Sequence, residues 1–451
     1  MELKASAKAA GSGVHRVMPA RQTWERIEPQ VRAIGVTRIA AIHGLDRIGI
    51  PVYSAIMPRS RDLVSVYNGK GTTPLDAKVG AVMEAVERYA AWSSRRPDVV
   101  ESRALLARRQ EVLDPQALVI DLADGYSDDT AIPWIEGFDL VQRAPLLVPF
   151  AAAAYFQDVG QFGPPCYALT STNGLASGNT VEEAICHALC EVVERDAVTM
   201  AELVSRGVPR LLSEPGDDLE RFPTVSLDSL PGPAAALVEA YRTAGLHPVL
   251  RNVTADNSIP TLACTITDDL HPDFSRAHTG VGTHPDAEVA LLRSLTEAAQ
   301  SRVSDIQGLR EDISMSDEVV PEAARHAQRV ARVDPEGWYH RESRHPIEFS
   351  EVTSYRHADV VEDIDLMVSR LVDCGAERVI VVDLSPPDVD AHVVRVLVPG
   401  LETWSALKGR VGTRAETAVR RAAEAARASA AAQENARRLG DIFGGVPRTQ
   451  P

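Results

Sequence analysis

The sequence is poor in basic residues and in aromatic residues. Its 451 residues include 47 lysines and arginines against 63 aspartates and glutamates, a formal net charge of −16 at pH 7. Surfaces that bind polyanions need an excess of positive charge, so this balance excludes nucleic acid and anionic membranes as main partners. Only 5% of the residues are aromatic, but 45% are hydrophobic, which is enough for a folded core and argues against intrinsic disorder.

Disulfide frameworks and membrane signals are also missing. Five scattered cysteines are too few for the framework of a secreted protein, and they fit a reducing compartment. No segment approaches the roughly 18–20 consecutive apolar residues that a membrane-spanning helix needs. Residues 1–20 contain no apolar stretch typical of a signal peptide, and we interpret them as a disordered leader. The expected location is therefore the cytoplasm.

Several common catalytic motifs do not occur. The chain has no GxxxxGK[ST] segment, no kinase motif set, no GxSxG elbow and no cysteine pair with zinc-finger spacing. Cys186 and Cys190 are one helical turn apart, and we interpret them as core residues. His43, His187 and His284 lie within motifs, but single histidines of this kind are more often structural groups. The sequence thus excludes these familiar classes of site.

A recurring pattern organises the rest of the chain, whose length predicts two coupled subdomains or one enzyme-sized domain. Three times, a glycine-bearing loop runs into a helix rich in alanine and glutamate, without the fixed period of a solenoid. In the second copy, Thr180 and Glu183 have the capping-box spacing that marks a helix start. The three loops are 68–71, 171–179 and 280–285, and the helices are expected over about 74–93, 180–205 and 286–303.

Acidic side chains align along one face of each predicted helix. Residues three or four apart share a face, which places Glu84 beside Glu87. Stacked like charges repel one another unless the face is solvated or cations lie between them, and both interpretations stay open. The other aligned residues are Glu183, His187, Glu191 and Glu194 in the second helix, and Arg293 and Glu297 in the third.

Two kinds of metal site use aligned glutamates. Mg²⁺ prefers oxygen ligands and usually binds through a few carboxylates together with water or nucleotide phosphate. Nearby basic residues, here Lys70, Arg195 and Arg293, would then neutralise phosphate charge. A di-iron helix bundle also uses glutamates, but it expects a glutamate three residues before a histidine, and Ala184 precedes His187 at that spacing. The pattern favours the magnesium-nucleotide interpretation.

These motifs together resemble the YcaO family. The resemblance rests on Ser171–Ala184 with Glu191–Asp196, on Gly69–Gly71 with Glu84–Arg88, and on Gly282–Pro285 with Arg293–Glu297, and it extends over about residues 40–410. The segment Gly44–Val52 is similar to the branch of the family that works with a TfuA-type partner.

The resemblance implies a fold and a division of the chain. The expected fold class is α/β (α+β), with three loop–helix motifs converging on one ATP site. The expected parts are a disordered leader at 1–20, an N-terminal segment at 21–65, a YcaO catalytic domain at 66–410, and a C-terminal helix with a flexible tail at 411–451. An alanine- and arginine-rich stretch from Thr413 to about Leu439 is interpreted as the solvent-facing C-terminal helix.

The resemblance also implies an activity and its site residues. Such enzymes use ATP and Mg²⁺ to activate a peptide backbone amide: a nucleophile adds to the carbonyl, ATP phosphorylates the oxyanion, and loss of phosphate leaves a thioamide, an azoline or an amidine. By matching motif positions, Asn179 lies by the nucleotide, Arg195 and Arg293 pair with its phosphates as catalytic residues, and Lys70 is a further phosphate contact. The implied Mg²⁺ ligands are Glu84, Glu87, Glu183, Glu191, Glu194 and Glu297.

The nucleophile and the partners are expectations of the same kind. Thioamide formation is the main hypothesis, with a peptide or protein substrate, a TfuA-like partner protein, a sulfur donor and, by analogy alone, a homodimer. Azoline or macroamidine formation is the alternative, although the chain ends in Val446–Pro451 instead of the Pro-x-Pro-x-Pro tail common among azoline-forming members. A non-catalytic protein that binds a peptide or a partner is the hypothesis of another class.

Overall fold

The computed structural model describes residues 1–9, 15–62, 64–155, 159–211, 220–268, 277–308, 340–403, 410–425 and 427–428. Within these ranges no helix is both long and apolar enough to cross a membrane. The α-helices are α1 Ala20–Ile27, α2 Pro74–Ser93, α3 Arg103–Leu106, α4 Phe150–Ala153, α5 Val181–Leu211, α6 Gly232–Thr243, α7 Ala287–Gly308 and α8 Val360–Asp373. The strands are β1 Arg38–Ala41, β2 Val52–Ile56, β3 Val66–Lys70, β4 Val99–Ser102, β5 Ala131–Asp139, β6 Ala144–Pro149, β7 Leu175–Gly178, β8 Leu246–Asn252, β9 Thr261–Asp268, β10 His278–Thr283, β11 Ile380–Asp383 and β12 His392–Leu397.

These strands form three sheets in which every described pairing is antiparallel. The largest has the order β4-β5-β11-β12-β7, with β6 paired to β5, and two three-stranded sheets have the orders β1-β2-β3 and β10-β9-β8. In the large sheet His392 lies opposite Gly178. Helices and sheets are thus mixed without parallel crossovers, which confirms the expected class and places the fold on its α+β side.

The two faces of β12 pack against different helices. Val393 and Leu397 lie in the same hydrophobic cluster as Ala85 and Val86 of α2. The alternate residues of the strand, Val394 and Val396, lie in a second cluster with apolar side chains of α5 and α8. Since successive side chains of a strand point to opposite faces, the large sheet is sandwiched between α2 on one side and α5 with α8 on the other.

At least one glycine of each expected loop lies instead in the strand that precedes the helix. Gly69 is in β3, Gly178 in β7 and Gly280 in β10. A Cβ atom at each would lie far inside van der Waals contact of a helix backbone nitrogen, namely that of Ala81, Ala184 or Ala298 respectively. The glycine-alanine pairs therefore let α2, α5 and α7 lie directly on their strands, so the acidic faces of these helices are held close to the strand ends.

The disorder expected for residues 1–20 is wrong for the described part of that segment. The backbone N–H of Lys4 donates to Glu182 Oε1 at 2.9 Å, and the carbonyl of Ser6 accepts from Val360 N at 3.0 Å. The ammonium of Lys8 pairs with the buried carboxylate of Asp363 at 2.5 Å. The segment is fixed by polar contacts to the N-terminal turns of α5 and α8, which no local periodicity could indicate.

The C-terminal helix is present over 413–425, and its expected solvent-facing character is only partly correct. Ala415, Ala422 and Ala423 are buried, and Ala422 packs against Val204 of α5. Arg414 Nη1 pairs with the buried Asp196 Oδ1 of α5 at 2.5 Å. The helix is thus attached to α5 through both apolar and ionic contacts. Residues 427–428 are also helical, and the remainder of the predicted helix and the tail lie outside the described residues.

Glu402 joins this attachment and gives a testable pH dependence. Its Oε1 accepts from Gly412 N at 2.8 Å, and burial raises its pKa to about 7. The native state therefore holds a proton on Glu402 that the unfolded state releases at lower pH. The stability that this group contributes is fully present below the pKa of an unfolded glutamate and is lost as the pH rises through about 7.

We expect Glu402→Gln to remove this part of the pH dependence, because glutamine can keep the bond to Gly412 without ever ionising. Urea unfolding at pH 5.5 and pH 8 should show that the stability of the variant relative to the wild type is larger at pH 8 than at pH 5.5. A stability difference between the two proteins that is equal at both pH values would contradict this expectation.

Candidate functional site

The acidic faces of α2, α5 and α7 meet around one lysine. Lys70, the last residue of β3, forms an ion pair with Glu297 of α7. Burial tends to raise the pKa of Glu84 on α2, but the positive charge of Arg88 and, to a smaller extent, that of Lys70 lower it. On α5, burial and then the negative charge of Glu297 raise the pKa of Glu194. Carboxylates from three helices therefore lie within electrostatic reach of one another.

On α2, the adjacent carboxylates Glu84 and Glu87 have opposite protonation preferences. Glu84 Oε1 accepts from Arg88 Nη2 at 2.6 Å, and this charge keeps the pKa of Glu84 low despite burial. Glu87 Oε1 accepts from both the backbone N and the Oγ of Ser177, each at 2.8 Å. Burial and then the charge of Glu84 raise the pKa of Glu87 well above its usual value. Two carboxylates this close cannot both ionise easily without a cation.

On α5, Glu191 faces the glycine-rich segment that leads into β7. Its Oε2 accepts from Gly174 N at 3.2 Å, and its Oε1 lies 3.5 Å from Arg195 Nη2. Burial raises the pKa of Glu191, and the charge of Arg195 opposes that shift. One turn further, Glu194 Oε2 is buried and has no hydrogen-bond partner among the described residues, and the pKa of this carboxyl is raised to about 7. Both groups would be stabilised as carboxylates by a bound cation.

At the start of α5, Glu183 is covered by the N-terminal segment. Arg16 Nη1 donates to Glu183 Oε1 at 3.1 Å, and the backbone N–H of Val17 donates to Oε2 at 2.9 Å. Asn179 Nδ2 also donates to this carboxylate, at 3.1 Å, while Asn179 Oδ1 accepts from Thr23 Oγ1 at 3.0 Å. The expected capping interaction is half formed: Glu183 N donates to Thr180 Oγ1, but the Glu183 side chain turns toward these partners instead.

The arginine of α7 reaches the same end of α5. Arg293 Nη1 lies 3.4 Å from His187 Nε2, and Arg16 Nη2 lies 3.4 Å from His187 Nδ1. Burial and then the two guanidinium charges hold the pKa of His187 well below its usual value, so the imidazole is neutral. The Nε of Arg293 is buried, and no hydrogen-bond partner for it lies in the part of the chain that the structure describes. These side chains and Glu183 line one small cavity.

The structure thus brings every candidate residue into one region, as two adjoining groups. Glu183, Asn179 and Arg293 form one group with the N-terminal segment, and the remaining candidates surround Lys70. Sequence reasoning missed Arg16, because the segment that carries it was interpreted as disordered. It also missed Ser177, which lay inside a quoted motif but has no charge to attract attention.

The buried, unpartnered atoms test whether this region suits a cation together with an anion. Within the described ranges, Glu194 Oε2 is an acceptor without a donor and Arg293 Nε is a donor without an acceptor, and each is costly to bury in that state. A divalent cation would bind the oxygen of Glu194, and a phosphate oxygen would accept a hydrogen bond from Arg293 Nε. The donor set, carboxylate oxygens with flanking guanidinium and ammonium groups, is the set that Mg²⁺ and a polyphosphate require.

A second cluster of metal-type side chains has a structural role. Cys186, His284 and Asp363 hold ligand atoms within 4.8 Å of one another. However, His284 Nδ1 accepts from the backbone N–H of Asp286 at 2.9 Å, so the proton of the neutral ring lies on Nε2, which faces Asp363. Asp363 is already paired with Lys8. The cluster therefore joins the N-terminal segment to α8 and to the turn before α7.

Known proteins resemble this chain over most of its length. The family model described as YcaO cyclodehydratase, ATP- and Mg²⁺-binding, matches residues 68–402. A protein of Methanothermobacter thermautotrophicus is 38% identical over 408 residues, covering 88% of this chain and 98% of its own. A protein encoded in the tfuA 3′ region of Rhizobium leguminosarum bv. trifolii is 32% identical over 414 residues, covering 89% and 92%.

A solved structure shares the fold. The YcaO protein of Methanopyrus kandleri, bound with AMPPCP and Mg²⁺, aligns with a TM-score of 0.65 at 25% identity and covers 90% of this chain and 98% of its own. The same architecture therefore extends over nearly the whole of both proteins.

Proposed function

The chain belongs to the YcaO family, whose cofactors are ATP and Mg²⁺, and from this premise we propose that it activates a peptide backbone amide by O-phosphorylation. The observation that carries the proposal is the meeting of six carboxylates from α2, α5 and α7 with the basic side chains of Lys70, Arg195 and Arg293. A peptide-binding scaffold without catalysis would not need so many buried and half-buried charges in one place.

In this proposal the six carboxylates hold Mg²⁺ and the basic side chains hold the nucleotide. Glu84, Glu87 and Glu191 are ligands on the side of Arg88, and Glu183, Glu194 and Glu297 are ligands on the side of Arg293. Arg195 and Arg293 bind phosphate oxygens, with Lys70 as a further contact, and Asn179 lies by the nucleotide. Arg16 covers Glu183, so we expect it to contribute positive charge at the same end.

The chemistry follows from where the charges lie. A nucleophile adds to the amide carbonyl carbon, and the electron pair of the carbonyl double bond moves to oxygen. That oxygen forms a bond to the γ-phosphorus of ATP while the bond to the bridging oxygen breaks and ADP leaves with its electron pair. Arginine and lysine side chains positioned beforehand stabilise the negative charge that develops on the phosphoryl oxygens.

We propose that the nucleophile is a sulfur species and that the product is a thioamide in a ribosomally made peptide or protein. The relative encoded in a tfuA 3′ region supports this branch and the participation of a TfuA-like partner and a sulfur donor. Formation of an azoline or a macroamidine is the second candidate, which the description of the family as cyclodehydratases favours. Both candidates share the same phosphorylation step.

The proposal is tested first by binding and then by mass. We expect the purified protein to bind AMPPCP only when Mg²⁺ is present, as measured by calorimetry. Candidate peptides encoded beside the gene are then incubated with the protein, ATP, Mg²⁺ and sulfide, with and without the neighbouring TfuA-like protein.

The mass change identifies the chemistry. Exchange of oxygen for sulfur raises the peptide mass and supports thioamide formation, whereas loss of water lowers it and supports an azoline or a macroamidine. Absence of Mg²⁺-dependent AMPPCP binding would reject the enzymatic proposal and leave the non-catalytic alternative.

A further inference from the structure

Arg395 is a buried arginine that none of the proposed roles uses. It lies in β12 and is only 3% exposed. Its Nη2 donates to the carbonyl oxygen of Ser171 at 2.7 Å. Its Nε and Nη1 are also buried, and neither has a hydrogen-bond partner among the described residues. A guanidinium with two unpaired donor nitrogens in an apolar sheet is unfavourable unless an acceptor binds there.

The side chain lies on the face of the sheet that α2 covers, toward the acidic site. Arg395 alternates with Val394 and Val396, which face α5, so it shares the face of Val393 and Leu397. Glu191 is the acidic group with the largest electrostatic effect on it, and Arg88 and Tyr155 are its other charged or titratable neighbours. Arg395 therefore faces the end of the site where α2 and α5 meet.

Arg395 and Arg195 approach Glu191 from different sides. Arg195 lies near Glu191 Oε1, whereas Oε2 accepts from Gly174 N, in the same short loop whose Ser171 carbonyl binds Arg395. The nucleotide phosphates are assigned above to the side of Arg195 and Arg293. We therefore expect the guanidinium of Arg395 to lie beside Glu191 on the side opposite the proposed nucleotide contacts.

The charge balance on this side calls for an anion when metal is bound. Arg88 is compensated by Glu84 at 2.6 Å and by Asp62 at 3.4 Å, so Arg395 depends on Glu191. If Glu191 binds Mg²⁺, as proposed, its negative charge no longer compensates the positive charge of Arg395. The side chains of Glu84 and Glu191 remain 31% and 22% exposed, so this end is open to a ligand.

We propose that Arg395 binds the phosphoryl group on the peptide side of the site, that is, the phosphorylated amide oxygen and the phosphate released from it. This inference rests on the proposed function. After transfer, the bond between the amide carbon and the phosphorylated oxygen breaks, and both of its electrons leave with phosphate. The phosphoryl oxygens carry negative charge before and after that bond breaks. The two donor nitrogens of Arg395 can therefore hydrogen-bond to the group both as an ester and as free phosphate.

The experiment measures binding of orthophosphate to protein loaded with Mg²⁺ and ADP, by titration calorimetry, and so needs no peptide. Arg395→Gln removes the charge, and Arg395→Lys keeps the charge but not the forked donors. Arg420→Gln, at an exposed position of the C-terminal helix, is the control. We expect Arg395→Gln to weaken orthophosphate binding by about 10-fold or more and Arg395→Lys to weaken it less. Binding of AMPPCP with Mg²⁺ should change by no more than about 3-fold, and the control should behave as wild type.

Several outcomes would overturn the inference. These are unchanged orthophosphate binding in Arg395→Gln, an equal loss of AMPPCP and orthophosphate binding, and a wild type that binds AMPPCP but no orthophosphate. If Arg395→Gln does not fold, Arg395→Lys decides, and wild-type affinity for orthophosphate in that variant counts against the role. A wild type that fails to bind AMPPCP is a different result, because it rejects the proposed function itself.

Discussion

Replacing Glu191 with glutamine is expected to abolish most of the Mg²⁺-dependent binding of AMPPCP while leaving the fold intact. Glutamine has the same shape and can still accept from Gly174 N, but it cannot supply a negative charge to a metal ion. We expect affinity to fall by at least ~100-fold, which is the upper end of the loss seen when an outer partner of a metal site is removed.

The same change should not destabilise the protein. Burial raises the pKa of Glu191, so its ionised form is costly in the native state without metal, and a neutral amide removes that cost. Glu191 also compensates the buried positive charge of Arg395, so the loss of that compensation offsets part of the gain. Thermal unfolding without ligands should therefore occur at nearly the same temperature. A loss of binding without a loss of stability is typical of functional residues.

Glu239→Gln is the matched control, because Glu239 lies exposed on α6, away from the acidic faces. It should bind AMPPCP as the wild type does. Wild-type affinity in Glu191→Gln would show that this carboxylate is not part of the metal site.

Replacing Gly280 with alanine is expected to destabilise the whole protein. The added Cβ would lie far inside van der Waals contact of the backbone nitrogen of Ala298 and the carbonyl oxygen of Ser294, so no flexible side chain can move aside. The helix α7 would have to shift away from β10. We expect a loss of about 3–5 kcal/mol in the free energy of unfolding, which is large against a typical total of about 5–15 kcal/mol.

Gly232→Ala serves as the control for this substitution. A Cβ at Gly232, the first residue of α6, meets no atom within 4 Å. Its unfolding free energy should change by less than about 1 kcal/mol. Urea denaturation of both variants measures the difference, and an unchanged midpoint in Gly280→Ala would mean that α7 does not need its close approach to β10.

Much of the site could be predicted from the chain alone, since helix periodicity is local. Spacings of three and four residues placed Glu84 beside Glu87 and aligned Glu191 with Glu194 before any fold was known. The three recurring motifs then indicated the family, which the comparisons confirm. The sequence could also indicate that these faces needed cations, because aligned carboxylates repel one another.

The position of the glycines and the role of the first residues could not be predicted in this way. A glycine before a helix is compatible with a loop, and equally with a strand against which a helix backbone packs closely. Only the tertiary packing distinguishes these two structures. The leader has no apolar pattern, and its order depends on partners such as Asp363 that lie hundreds of residues away in the chain.

The sequence by itself determined the three acidic helices, their order, the kind of ligand they suit and the deficit of positive charge that excludes polyanion surfaces. Only the tertiary structure decided which charges meet: Lys70 pairs with Glu297 across 227 residues, and Arg395 reaches the site across 224 residues from Ser171. The reason is that a local repeat fixes which side chains share a face, whereas contacts between distant segments depend on how strands and helices pack.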